Sequence, residues 1–264
     1  MHLVTSREYK VILKTAAFCD RVEGIRKFWR EIEAIAQAQS FAIKGLLSEQ
    51  VERQVEFYDT PDHNLLSRGY VLRRRGAIAE GKVAKVKAML KYRSPDVYIA
   101  SSVDVSSPAP KAETKLEEDI LAPFRSQFAH STSAPVTDSP WTTLADVLAV
   151  FPGLDRLKFP PETPIERVGG LVAQELVSRG AVLDFGQEEA TVAITLWYEP
   201  GTDGAGEPAI AEFSFAYGDP SGEFTAKGAR RAKAFFEGLQ KMADWYDPSA
   251  ITKTQFVYSY GKDQ

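Results

Sequence analysis

Residues 54–75 read Gln-Val-Glu-Phe-Tyr-Asp-Thr-Pro-Asp-His-Asn-Leu-Leu-Ser-Arg-Gly-Tyr-Val-Leu-Arg-Arg-Arg, and no other stretch limits the fold of this chain so tightly. Its first part alternates as a strand does, Thr60-Pro61-Asp62 breaks the pattern, and a second strand opens at Tyr70 and ends on three arginines. Side chains two apart on a strand share a face, so Arg73 and Arg75 project together while Arg74 points away. Two guanidiniums on one face of a sheet call for an anion.

Composition narrows what that anion belongs to. The chain has 264 residues, 44% of them hydrophobic and 26% charged, enough for a real core in one large domain or two small ones. A formal net charge of −4 argues against a general nucleic-acid binder, so any basic function is local. Cys19 is the single cysteine, which excludes an internal disulfide and makes a cysteine-based zinc site an unsuitable reading. His2, His63 and His130 are widely scattered, and none is expected in catalysis. No apolar run approaches a membrane span and the N-terminus lacks a signal-peptide pattern, so the expected location is cytoplasmic, with no membrane and no nucleic-acid partner.

Along the chain, residues 2–14 read as a strand with Ser6, Glu8 and Lys10 on one face; an exposed Glu–Lys pair on a surface strand is the simpler meaning of that pattern. Asp20 and Glu23 form a capping box for a helix reaching about residue 39, its apolar stripe being core packing. Residues 41–47 and 51–59 read as a hairpin-like pair. In residues 83–93, Lys85, Lys87, Met89, Lys91 and Arg93 share one face opposite Val86, Ala88, Leu90 and Tyr92, either a solvated face over a core or part of a basic wall. Residues 97–105 suggest an excursion or hairpin. Lys115, Glu117 and Asp119 share a strand face, a grouping of one cation and two carboxylates that is costly to bury without partners. Residues 129–140 read as a loop by composition and 143–150 as a helix. Strands follow at about 166–178, 181–186, 189–198 and 208–217, with Arg179 placed to meet phosphate or to cap a turn with Gly180. Residues 222–246 describe a long amphipathic helix, and Tyr258 and Tyr260 alternate on a last strand.

Tyr58-Asp59-Thr60-Pro61, then Leu65, Gly69 and Leu72-Arg73-x-Arg75, resemble the second and third strands of the CYTH superfamily, the triphosphate tunnel metalloenzymes. Ser6-Arg7-Glu8-Tyr9-Lys10 resembles that family's opening Glu-x-Glu-x-Lys with serine in place of the first glutamate. Lys115-x-Glu117-x-Asp119 is similar to its Arg-x-Glu-x-Glu, Lys91 to the lysine of the preceding strand, and Lys253 to the lysine of its closing segment. Of the alternating glutamates expected in a late strand, Glu212 matches, while Ser214 and Ala216 do not.

The resemblance implies an α+β fold: a closed antiparallel β-barrel of about eight strands forming a polar tunnel, with flanking helices, one domain over residues 1–264. It implies that Glu8, Glu117, Asp119 and Glu212 hold Mg²⁺ or Mn²⁺, and that Lys10, Arg73, Arg75, Lys91, Lys115 and Lys253, with Arg179 beside them, bind phosphate. No catalytic residue is assigned. The expected ligand is a triphosphate or polyphosphate. The expected activity is metal-dependent hydrolysis of inorganic tripolyphosphate or an organic triphosphate. The alternatives are a non-catalytic phosphate, polyphosphate or nucleotide binding module with a degenerate metal site and, less favoured, a class IV-like adenylate cyclase.

Overall fold

Strands that alternate charged and apolar side chains must put their two faces in different surroundings, and here one face of nearly every strand turns into the bore of a barrel. The computed structural model describes residues 3–202 and 204–261, so His2 lies outside the described residues. The strands are β1 (Val4–Leu13), β2 (Ala42–Lys44), β3 (Glu49–Asp59), β4 (Tyr70–Ala79), β5 (Lys82–Ser94), β6 (Glu113–Leu121), β7 (Arg125–Val136), β8 (Glu166–Arg167), β9 (Ala173–Asp184), β10 (Glu189–Tyr198) and β11 (Ile210–Gly218). The helices are α1 (Arg21–Ala38), α2 (Asn64–Ser67), α3 (Val97–Ser102), α4 (Leu144–Leu148), α5 (Ala226–Leu239) and α6 (Lys253–Ser259).

Nine strands close the ring in the order β9-β10-β11-β1-β6-β7-β5-β4-β3, with β3 pairing back to β9. The barrel is mixed, because β1 and β6 run parallel while the other ring neighbours are antiparallel. A closed, charged-lined barrel with helices outside it is the architecture that the CYTH resemblance implies.

The outward faces build the core. Tyr9, Val11 and Leu13 of β1 and Phe213 and Phe215 of β11 meet Phe28 and Ile32 of α1 and Phe235 and Phe236 of α5. The Asp20 carboxylate accepts from the Glu23 backbone N–H and starts α1, while the Glu23 carboxylate turns to Arg26 instead of closing the expected capping box. On the other side, Tyr58, Leu72 and Leu90 pack under Trp141, Leu144 and Phe151. Arg74 lies in this outer layer, 3% exposed, with its guanidinium on Asp138 and over the Trp141 ring. A third cluster closes part of one barrel end: inward-facing Val55, Phe57, Val71, Trp197 and Ile210 meet Val257 and Tyr258 of α6.

Several expectations change. Residues 129–140 are mostly strand β7, a full member of the ring, because Ser131, Thr132 and Ser133 pair with both β5 and β6. The strand expected at 166–178 is split, residues 166–167 forming the short β8, and its later part joins the one expected at 181–186 in a single strand, β9; Gly180, at φ +119°, supplies a kink where a Cβ would meet the Leu46 carbonyl at 2.7 Å. Strand β2 pairs with β9 and not with β3. Residues 97–102 form α3, capped by the Asp96 carboxylate. The long helix is shorter than expected, Ala226–Leu239. The closing tyrosines stand on a helix, α6, started by the Thr252–Gln255 capping box.

Candidate active site

A cavity of about 1070 Å³ occupies the barrel, and all eleven residues expected to hold metal or phosphate line it. Glu8 and Lys10 come from β1, Arg73 and Arg75 from β4, Lys91 from β5, and Lys115, Glu117 and Asp119 from β6. Arg179 comes from β9, Glu212 from β11 and Lys253 from the first turn of α6. Each strand contributes at alternate positions, which is why two-residue spacing in the sequence locates them. The lining also holds Glu49, Arg53, Arg93, Arg125 and Glu175, so among the described residues ten cationic side chains face six carboxylates. The bore of an acidic chain is thus basic by four charges.

The first group forms where β1 and β6 run parallel, with Glu8 opposite Asp119. The Lys10 ammonium lies 2.8 Å from Glu8 and 2.9 Å from Asp119, so two carboxylates share one cation. Lys91 lies 3.5 Å from Glu117 and 3.6 Å from Asp119, and Lys115 is 2.6 Å from Glu117. Burial alone would raise the pKa values of Glu8 and Asp119, but Lys10 and its neighbours outweigh it and hold both carboxyls below their usual range. Burial would likewise lower Lys10, whereas Asp119 and Glu8 hold it well above the ordinary lysine value. For Lys91 burial wins, and its pKa is lowered.

The second group lies on β3, β4 and β9. Arg53 and Arg75 both reach Glu175, at 2.9 and 3.5 Å, and the Trp197 indole N–H donates to the same carboxylate at 3.1 Å. Arg73 stands beside them with the Met89 sulfur as its side-chain contact, at 3.1 Å, and makes no ion pair among the described residues. Burial, followed by the charges of Arg75, Arg93 and Arg53, pulls its pKa down to about 9, while Glu175 opposes them only in part. The buried Nε atoms of Arg73, Arg75 and Arg179 have no hydrogen-bond partner. A guanidinium stays charged near neutrality, so this corner is short of negative charge.

Two expected members stand apart. Glu212 pairs with Lys253 at 2.7 Å, opposite Ile12 and Thr195 in the ladders and not beside Glu8, whose β11 partner is Ala216. Arg179 pairs with Glu49, both half exposed toward one rim. Among the described residues no three acidic, histidine or cysteine side chains converge as an all-protein metal cage would require. Glu175 and Arg53 escaped sequence reasoning because neither has a charged neighbour two residues away on its own strand face; only the pairing of Arg53 with Glu175 across β3 and β9 reveals them as a unit.

No family model matches the chain, and no curated protein matches it in sequence. Among solved structures it is similar to a candidate adenylyl cyclase from Hippeastrum described as having a dominant triphosphatase activity. That likeness spans 97% of this chain and 96% of that one, at 16% identity and a TM-score of 0.48. A candidate adenylate cyclase from Bacillus halodurans is 14% identical over 97% of this chain and 99% of its own, with a TM-score of 0.42. Another from Vibrio parahaemolyticus is 12% identical over the same shares, with a TM-score of 0.39.

Proposed function

We propose that the barrel binds the phosphate chain of a triphosphate and, with a divalent cation, hydrolyses it, inorganic tripolyphosphate being the first candidate and an organic triphosphate the next. The observation that carries the binding is the uncompensated corner around Arg73: a half-buried guanidinium with a buried, unpartnered Nε and no ion pair among the described residues, in a bore with ten cations to six carboxylates. A phosphate chain supplies the missing negative charge and accepts from several guanidinium edges at once.

The carboxylates favour chemistry over simple carriage, since an anion carrier needs only the bases. Glu8 and Asp119 already converge on one cation, the Lys10 ammonium. That pair of hard oxygen ligands fits Mg²⁺ or Mn²⁺ of the kind held by one or two carboxylates and completed by phosphate oxygens and water. When bound, such a cation supplies charge neutralisation and an acidified water. The chain's own residues do the rest. Arg73, Arg75 and Arg53 grip and orient the phosphates, and Lys91 and Lys10 offset charge as it moves between oxygens. Glu117 keeps Lys91 and Lys115 in place. Lys253, held by Glu212, brings a further cation from α6.

The test is phosphate release from tripolyphosphate, ATP and thiamine triphosphate with Mg²⁺ or Mn²⁺, beside Asp119→Asn. Metal-dependent turnover lost in the variant supports the hydrolase and ranks its substrates. A second reading, phosphate binding without hydrolysis, is favoured by Ser6, Ser214 and Ala216, which stand where the family pattern has acids. It predicts no turnover, with tripolyphosphate raising the melting temperature equally in EDTA.

A further inference from the structure

Glu175 is 1% exposed, yet it sits among the cations that face the proposed phosphate chain. It is no part of the Glu8–Asp119 group, and no second acid joins it: its neighbours are Arg53 across β3, Trp197 across β10 and Arg75 one strand further on. A carboxylate placed there opposes an anion by Coulomb repulsion. Its presence needs a compensating role.

The geometry supplies one. The Oε2 atom takes Arg53 Nη1 at 2.9 Å; Oε1 takes Trp197 Nε1 at 3.1 Å and Arg75 Nη2 at 3.5 Å. The indole is fully buried, so it fixes the carboxylate from the β10 side while the two arginines meet it from the β3–β4 side. Each arginine spends one nitrogen on Glu175 and keeps its other edge, Arg75 Nε being without a partner. A long arginine side chain that is not held in place has rotamer entropy that a ligand must overcome on binding. Burial would raise the pKa of Glu175, but Arg75, Lys253, Arg53 and Arg73 hold it well below the usual range, so the tether is ionised.

Resting on the phosphate-binding reading above, we infer that Glu175 is a positioning residue: it pre-orients Arg53 and Arg75 so that their remaining edges, with Arg73, form a three-arginine clamp for phosphate oxygens.

The two roles open to Glu175 differ in sign. If it is only a counter-charge, removing its charge tightens anion binding. If it positions the clamp, removing it loosens binding. The experiment is calorimetric titration of tripolyphosphate into the wild type, Glu175→Gln, Glu175→Asp, and Glu175→Gln in an Arg53→Gln/Arg75→Gln background, with melting temperatures alongside. Glutamine keeps an acceptor for Trp197 while losing the charge. Aspartate keeps the charge one methylene short.

The expected result is about tenfold weaker binding in Glu175→Gln, a smaller weakening in Glu175→Asp, and no further loss when Glu175→Gln is added to the double arginine variant. Tighter binding in Glu175→Gln with wild-type affinity in Glu175→Asp overturns the positioning role and leaves the phosphate-binding reading standing. Equal losses in both backgrounds also overturn it, since a merely structural residue does not act through Arg53 and Arg75. If Glu175→Gln does not fold, Glu175→Asp decides alone: unchanged affinity overturns the proposal. A wild type that binds no tripolyphosphate overturns the phosphate reading itself and the clamp with it.

Discussion

At the scale of single residues, the site separates charges that stabilise the fold from one that costs it. Arg73 is half-buried, flanked by other cations and without an ion pair among the described residues, so it weakens the ligand-free barrel. Arg73→Met should therefore raise the melting temperature by about 2–4 °C, because replacing an uncompensated, partly desolvated charge with an apolar side chain relieves repulsion among the neighbouring cations. It should also weaken tripolyphosphate binding at least about tenfold. Scanning calorimetry and titration of one preparation read both, and a lower melting temperature would show that Arg73 is satisfied without ligand. Lys10 is the opposite case, because Glu8 and Asp119 depend on it. Lys10→Met should cost about 3–5 kcal/mol at pH 7. The folded pKa values of both carboxyls lie below their unfolded ones. Their contribution is thus present above about pH 4 and fades as pH falls further, so the gap between variant and wild type should narrow in urea melts below about pH 4. Much of this site was legible because its members alternate on strands, as Glu8 with Lys10, Arg73 with Arg75 and Glu117 with Asp119 do. Glu175 was not, since nothing within β9 marks it; its partners lie on β3, β4 and β10.

At the scale of elements, the Tyr58-Asp59-Thr60-Pro61 pattern that signals the resemblance is architectural. Asp59 is fully buried, and its carboxylate accepts from the backbone N–H groups of Thr60, Leu65 and Leu66 and from the Tyr258 hydroxyl at 2.9 Å. One side chain thus starts α2 and ties α6 to the barrel, and α6 brings Lys253 to the bore. Burial and Asp59 both push the Tyr258 pKa up, keeping it a donor. Tyr258→Phe should cost about 1 kcal/mol, with faster amide exchange in α6 than in α1. Asp59→Ala, which leaves two α2 amides and the Tyr258 hydroxyl without their acceptor, should cost more than twice as much. Equal costs for the two would deny Asp59 its role at α2. The same element shows where sequence patterns fail: Tyr258 and Tyr260 are two apart as in a strand, yet the Thr252–Gln255 box starts a helix whose Val257 and Tyr258 bury against the barrel end. In β7, small polar residues resemble a loop by composition, but between β5 and β6 they carry a ladder on both sides, and that burial is a tertiary fact. The alternating strands β5 and β10 were readable because one face of each is apolar, and β1, β4 and β6 from the charges that recur two apart on the face lining the cavity.

At the scale of the whole molecule, the charge is turned inside out. The chain carries −4 and the lining of its cavity +4, so the remaining residues carry −8. A bulky polyanion that cannot enter the bore meets a repelling exterior, whereas a chain thin enough to thread between the strands meets the cations at close range. Screening separates the two cases, since the Debye length is about 8 Å at physiological salt and charges enclosed by protein feel it little. Tripolyphosphate affinity should therefore change less than about tenfold between 50 and 300 mM NaCl, against the steep loss found when several phosphates are met at an open surface. A 20-base-pair duplex should show no fluorescence-anisotropy change at either salt concentration. A steep salt dependence for tripolyphosphate would move its binding from the bore to a rim such as that at Arg179 and Lys115, and duplex binding would place a basic surface where the charge balance puts none. On the phosphate-binding reading, selectivity follows from where the cations are, lining the cavity inside the barrel.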